Sequence, residues 1–178
     1  MVDRLLDRSR LVQAGIAAAV LGSVFLSLLP LGGVPGRPGP DAVLCLLAAT
    51  VMRRPDLVPA PMVAILVFLE DLLTMRPPGL WAALTLAGTE VLRDRAQSSR
   101  DLGFWAEWLL VAIVFAGMFA TGRIALGLLM VPQPPIGDIA AEALVTMLFY
   151  PLVVLVLRAI FGLRKPASGE VDDRGRRL

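Results

Sequence analysis

Long apolar runs, separated by short clusters of Pro, Gly and charge, dominate the chain. Six of them are helical in length, at 11–30, 41–53, 57–75, 79–92, 104–130 and 138–163. The pattern predicts an all-α membrane protein: a polytopic bundle of six transmembrane helices with short loops. The first run holds about 19 apolar residues, too many for the core of a cleaved signal peptide, and reads as an uncleaved span. The second and fourth offer only about 11 to 14 clean apolar residues, against the roughly 20 that cross a hydrocarbon core. Each is therefore either a re-entrant segment or a span lengthened by its polar ends. The expected organisation is a cytoplasmic flank at 1–10, a six-helix domain at 11–163 and a polar tail at 164–178 that reads as disordered.

Composition supports a membrane setting. The 178 residues are 57% hydrophobic and 18% charged, with a mean hydropathy of +0.75, well beyond the ordinary apolar share of a soluble domain. Basic residues set the orientation. With six spans and a cytoplasmic start, Arg4, Arg8, Arg10, Arg53, Arg54, Arg93, Arg95, Arg100, Arg158, Arg164, Lys165, Arg174, Arg176 and Arg177 fall inside. Only Arg37 and Arg76 fall outside, and Arg123 is left within the membrane. Both termini are then cytoplasmic. A four-span arrangement, in which the second and fourth runs do not cross, also keeps most of the positive charge inside and stays open. The Arg53-Arg54 and Arg93 to Arg95 clusters directly follow apolar helices and favour six.

The chain has no histidine and a single cysteine, Cys45. An intramolecular disulfide and the usual His-dependent metal, haem and nucleophile-base arrangements are excluded. No catalytic residue, cofactor or metal site is expected, and nothing points to nucleic acid.

The informative polar residues are those inside the apolar runs: Glu70, Asp71, Arg123 and Glu142. Measured from the expected outer helix ends, Asp71 and Glu142 lie four residues in and Arg123 seven, or roughly 6 to 11 Å at about 1.5 Å per residue. Charges at one depth are cheapest when they face inward and pair. Asp71 continues the small face of Ala60, Ala64 and Val67. Arg123 continues Ala112, Ala116 and Ala120, with Gly127 beyond. These stripes predict an Asp71–Arg123 pair, with Glu142 as alternative or additional partner and Glu70 turned towards another groove, a partner or the headgroups. Three readings of the cluster stay open: charges that snorkel to the interface, a structural or partner-binding cluster, and a transport or proton-relay role.

Other positions carry structural expectations. Asp41, after Pro40, is placed to cap the second helix. The stripes Ala14, Ala18, Gly22 and Gly79, Ala83, Ala87 read as packing faces inside the bundle, with partner-binding faces as the alternative. Pro151 removes a donor, frees the carbonyl of Met147 and predicts a kink. Trp81, Trp105 and Trp108 read as interfacial anchors.

Taken in order, GPDAVL (39–44), VMRRPDLV (51–58), LVFLEDLL (66–73), PPGLWAAL (77–84) and LFYPLVVLVLR (148–158) resemble the rod shape-determining MreD family over most of residues 11–163. The family has an acid matching Asp71 and a Pro-Asp pair matching Pro40-Asp41. This chain departs in placing Glu70 beside that acid and in carrying Pro77-Pro78. The resemblance implies a non-enzymatic, multi-pass protein of the bacterial inner membrane, working in cell elongation. Its implied partners are MreC and, directly or indirectly, MreB filaments and the glycosyltransferase and transpeptidase of peptidoglycan synthesis, with homo-oligomerisation open. The alternative is a substrate-binding membrane subunit of a vitamin-type uptake transporter, an architectural likeness that does not by itself carry function.

Overall fold

The structure is a computed structural model that describes residues 2–29, 39–98 and 103–162. Among the described residues it is all-α, with six helices: α1 (Val2–Leu28), α2 (Ala42–Arg53), α3 (Ala60–Leu73), α4 (Leu80–Ser98), α5 (Phe104–Leu128) and α6 (Ile136–Phe161). A single 3₁₀ turn, Pro55–Leu57, links α2 to α3. Among the described residues, three stretches are long and apolar enough to cross a membrane: Arg10–Leu28, Phe104–Leu128 and Ile136–Ile160. They suggest a multi-pass membrane protein. The expected tail at 164–178 and the loop carrying Arg37 lie outside the described residues.

The helix boundaries differ from expectation at two places. α1 begins at Val2, within the charged flank. α4 continues past residue 92 to Ser98, because TEVLRDRAQS is composed mostly of helix-tolerant residues and holds a Glu90–Arg93 pair one turn apart (3.2 Å).

α2 is the centre of the bundle. Its 12 residues, AVLCLLAATVMR, are apolar round the whole circumference, and ten of them are buried. It packs against α1, α4 and α6. Asp41 N–H donates to Thr146 Oγ1 (3.0 Å). Thr146 is ten residues into α6, so α2 starts about 15 Å along that helix. At its far end Arg93, on α4, donates to the carbonyls of Pro55 (2.9 Å) and Val58 (2.7 Å), which holds the turn into α3.

The small-residue stripes do not form the seams. Ala14, Ala18 and Gly22 on α1, Ala83 and Ala87 on α4, and Ala116 and Ala120 on α5 are all exposed. The α4–α5 contact is made instead at Gly88 and Gly122. A Cβ at Gly88 would overlap the Met118 sulfur, and one at Gly122 would meet Leu84 and Trp81. α5 turns Val111, Phe115, Met118 and Phe119 inward. On a helix that is apolar all round, large side chains filling the core decide the inward face, and the alanines are left outside.

α6 runs through Pro151 from Ile136 to Phe161. The carbonyl that the proline leaves without a helical donor, Met147 O, accepts from Trp108 Nε1 at 2.9 Å. Trp108 is therefore a clamp between α5 and α6 and not an interfacial anchor, whereas Trp105 is largely exposed.

Candidate functional site

Polar side chains gather where the N-termini of α2, α4 and α6 meet the C-terminus of α3. α3 closes with Met75 in the left-handed region (φ 56°), and Arg76 N–H returns to Asp71 O (3.1 Å). This reversal turns Arg76 back over the bundle. Its guanidinium lies 3.6 Å from Asp41 Oδ2, 3.8 Å from Glu70 Oε1 and 3.8 Å from Glu142 Oε1. Its carbon sits 5.5 Å from the centre of the Trp81 ring.

Asp41 caps α2 as expected, Oδ1 accepting from Leu44 N–H (2.8 Å). Oδ2 accepts from Trp81 Nε1 (3.1 Å). Trp81 thus faces the site instead of anchoring at an interface. Asp71 is fully buried and caps α4 from outside that helix: Oδ2 accepts from Gly79 N–H (3.0 Å) and Ala82 N–H (3.2 Å). Gly79 has φ +88°, which suits a residue without Cβ and aims its N–H at the carboxylate.

The expected Asp71–Arg123 pair is not formed. Arg123 donates to Gln133 Oε1 (3.0 Å) and to Pro134 O (3.2 Å), holding the link from α5 to α6. The stripe that was to carry Arg123 inward faces out of the bundle, and Asp71 gives one oxygen, Oδ2, to helix-end amides while Oδ1 has no hydrogen-bond partner among the described residues. Glu70 also departs from expectation. It is buried, because Leu66 and Val63 on its face are core residues, and it turns towards Arg76. Glu142 does join the cluster, through Arg76 and not Arg123. Arg76, read as an outer-loop charge, is the cation that Asp41, Glu70 and Glu142 share.

A second cluster was missed from the sequence. Arg53 and Glu107 are 4% and 1% exposed and pair at 3.0 Å. The same guanidinium nitrogen donates back to Ala49 O (3.0 Å), and Tyr150 OH donates to Glu107 Oε1 (2.6 Å). The available signal was Glu107 within FWAEWLL, an acid in an apolar helix, together with two adjacent arginines of which one can turn inward. Arg54 is the exposed one.

Two spaces adjoin Arg76 and Glu142. One, of ≈ 260 Å³, is mostly apolar and lies among Trp81, Phe119, Leu126 and Ile139, with Arg123 at its edge. The other, of ≈ 550 Å³, runs beside α1 among Ser23, Ser27, Asp41, Glu70 and Thr74. Among the described residues, no three His, Cys, Asp or Glu side chains are grouped to hold a metal ion. Comparison with protein-family models, with curated proteins and with solved structures gave no match.

Proposed function

We propose that this chain is a non-enzymatic membrane scaffold of the rod shape-determining MreD type. On this reading it lies in the bacterial inner membrane with six spans and both termini cytoplasmic. It binds MreC and positions the peptidoglycan-synthesis partners of cell elongation. One observation supports the reading most. Each of the five segments that carry the resemblance supplies a residue to the polar interior: Asp41, Arg53, Glu70 with Asp71, Gly79 with Trp81, and Tyr150. The resemblance therefore falls on the residues that fix how the helices meet, which are the ones a scaffold must hold constant.

The ≈ 550 Å³ crevice favours the alternative, a solute-binding subunit of an uptake transporter. Affinity purification of the tagged full chain from its own membranes in mild detergent, followed by mass spectrometry, separates the two. MreC and cell-wall synthesis proteins are expected. Recovery of an energy-coupling ATPase in their place would overturn the scaffold reading.

A further inference from the structure

The ≈ 550 Å³ crevice has an unusual hydrogen-bonding lining. Ser23 gives its hydroxyl proton to Ala19 O (2.8 Å), Ser27 to Val24 O (2.7 Å) and Thr74 to Glu70 O (2.7 Å). Each hydroxyl is left with lone pairs only. The carboxylates of Asp41, Glu70 and Glu142 are acceptors too. Asp41 is occupied by Leu44 N–H and Trp81 Nε1. Glu70 is not: it is 6% exposed, and its Oε2 has no hydrogen-bond partner among the described residues. Arg76 is the one cation among the described residues lining the space, and at 3.6 to 3.8 Å its contacts with the three acids are too long to be hydrogen bonds.

A buried carboxylate oxygen without a donor is costly, and a space that offers acceptors and surplus negative charge selects for a cation carrying N–H groups. The acids are not grouped for a metal ion. The geometry points to a binding site for a primary ammonium group, seated in the crevice beside the Glu70 carboxylate and donating its protons to that carboxylate and to neighbouring hydroxyl and carboxylate oxygens. An ammonium brings three donors on one charge, whereas a quaternary ammonium brings the charge alone. Two sources supply that chemistry: the headgroup of phosphatidylethanolamine, and a soluble diamine. This site is independent of the scaffold role and stands or falls separately.

The test uses the purified full-length chain in phosphatidylcholine nanodiscs. One arm replaces part of the lipid with phosphatidylethanolamine and measures, by native mass spectrometry, how many copies of each lipid are retained. The other measures the affinity for putrescine and for its fully N-methylated counterpart by thermal shift. In at least one arm the primary amine is expected to be preferred by about tenfold, the scale of losing charge-assisted hydrogen bonds, and that arm identifies the source. Glu70→Gln should abolish the preference, while Glu90→Gln, at a half-buried pair that does not line the crevice, should keep it. Because the preference is a ratio within each variant, a change in fold stability cancels. If neither primary amine is preferred, or if E70Q keeps the preference, there is no such site.

Discussion

Among the described residues, the Arg53 cluster pairs one cation with one anion, while the Arg76 cluster sets one cation among three carboxylates. At Arg53 the contacts are 3.0 and 2.6 Å, the participants are almost wholly buried, and Tyr150 and the Ala49 carbonyl join the pair. At Arg76 the cation is a third exposed, the contacts are 3.6 to 3.8 Å, and Glu70 Oε2 and Arg76 Nη1 have no hydrogen bond. The first arrangement has the close, paired contacts that burial of charge demands. The second leaves hydrogen-bonding capacity unused beside an open space, which suits recognition better than stability.

The largest expected effect breaks the closed cluster. Arg53→Leu alone leaves Glu107 buried without its cation and should lower unfolding stability in detergent by about 3 to 5 kcal/mol. Arg53→Leu with Glu107→Leu should recover most of that loss in a double-variant cycle. Losses that simply add would show that the two charges are not coupled. Glu107→Gln, which keeps shape and loses charge, should cost about 2 kcal/mol. The same change in the open cluster sharpens the contrast: Glu70→Gln is expected to be neutral or slightly stabilising by thermal denaturation, because it removes a buried charge with no close donor.

Asp71→Ala comes next. It strips two amides of their acceptor and should cost about 1 to 3 kcal/mol, whereas Arg123→Leu should cost less than about 1 kcal/mol. The two should be additive, since they share no contact. At the small end, Trp108→Phe should cost about 1 kcal/mol by leaving Met147 O unpaired. In a Pro151→Ala background, where the backbone regains its own donor, the cost should shrink towards zero. An unchanged cost would mean that the indole is held by packing alone.

The sequence was most legible where a chemical interruption marks a boundary. Pro, Gly and charge delimit six runs, and six helices follow, with Asp41 capping α2 and Pro151 freeing the carbonyl of Met147. Counting residues inward from the helix ends placed Asp71, Glu142 and Arg123 near one level; Glu142 joins the Arg76 cluster, whereas Arg123 holds the link from α5 to α6. Helical phase placed Asp71 inward, where it is, but failed for Arg123 and Glu70. Ala112, Ala116 and Ala120 gave a clear stripe, yet α5 is apolar on every side, so periodicity holds no information about which side is lipid-facing. Arg53 and Arg76 were read as loop charges because each lies at a helix end. A local pattern cannot show that one guanidinium curls back to Ala49 O or that a left-handed residue at Met75 folds the other over the bundle.

The central position of α2 sets a schedule on the ribosome. Arg53 is synthesised 54 residues before Glu107, and Asp41 is made 105 residues before Thr146. At about 5 to 20 residues per second, Arg53 waits roughly 3 to 11 s for its counter-charge. During that interval a 12-residue helix, too short to cross the bilayer unaided, has neither its anion nor α6 to lie against. α2 must therefore dwell at the membrane surface or in the insertion machinery and enter the bundle late, after the helices that follow it. A chain stalled before residue 107 would hold Arg53 in contact with water or lipid phosphate, open to capture by quality-control proteases, while one stalled only after α6 has left the ribosome would already be closed.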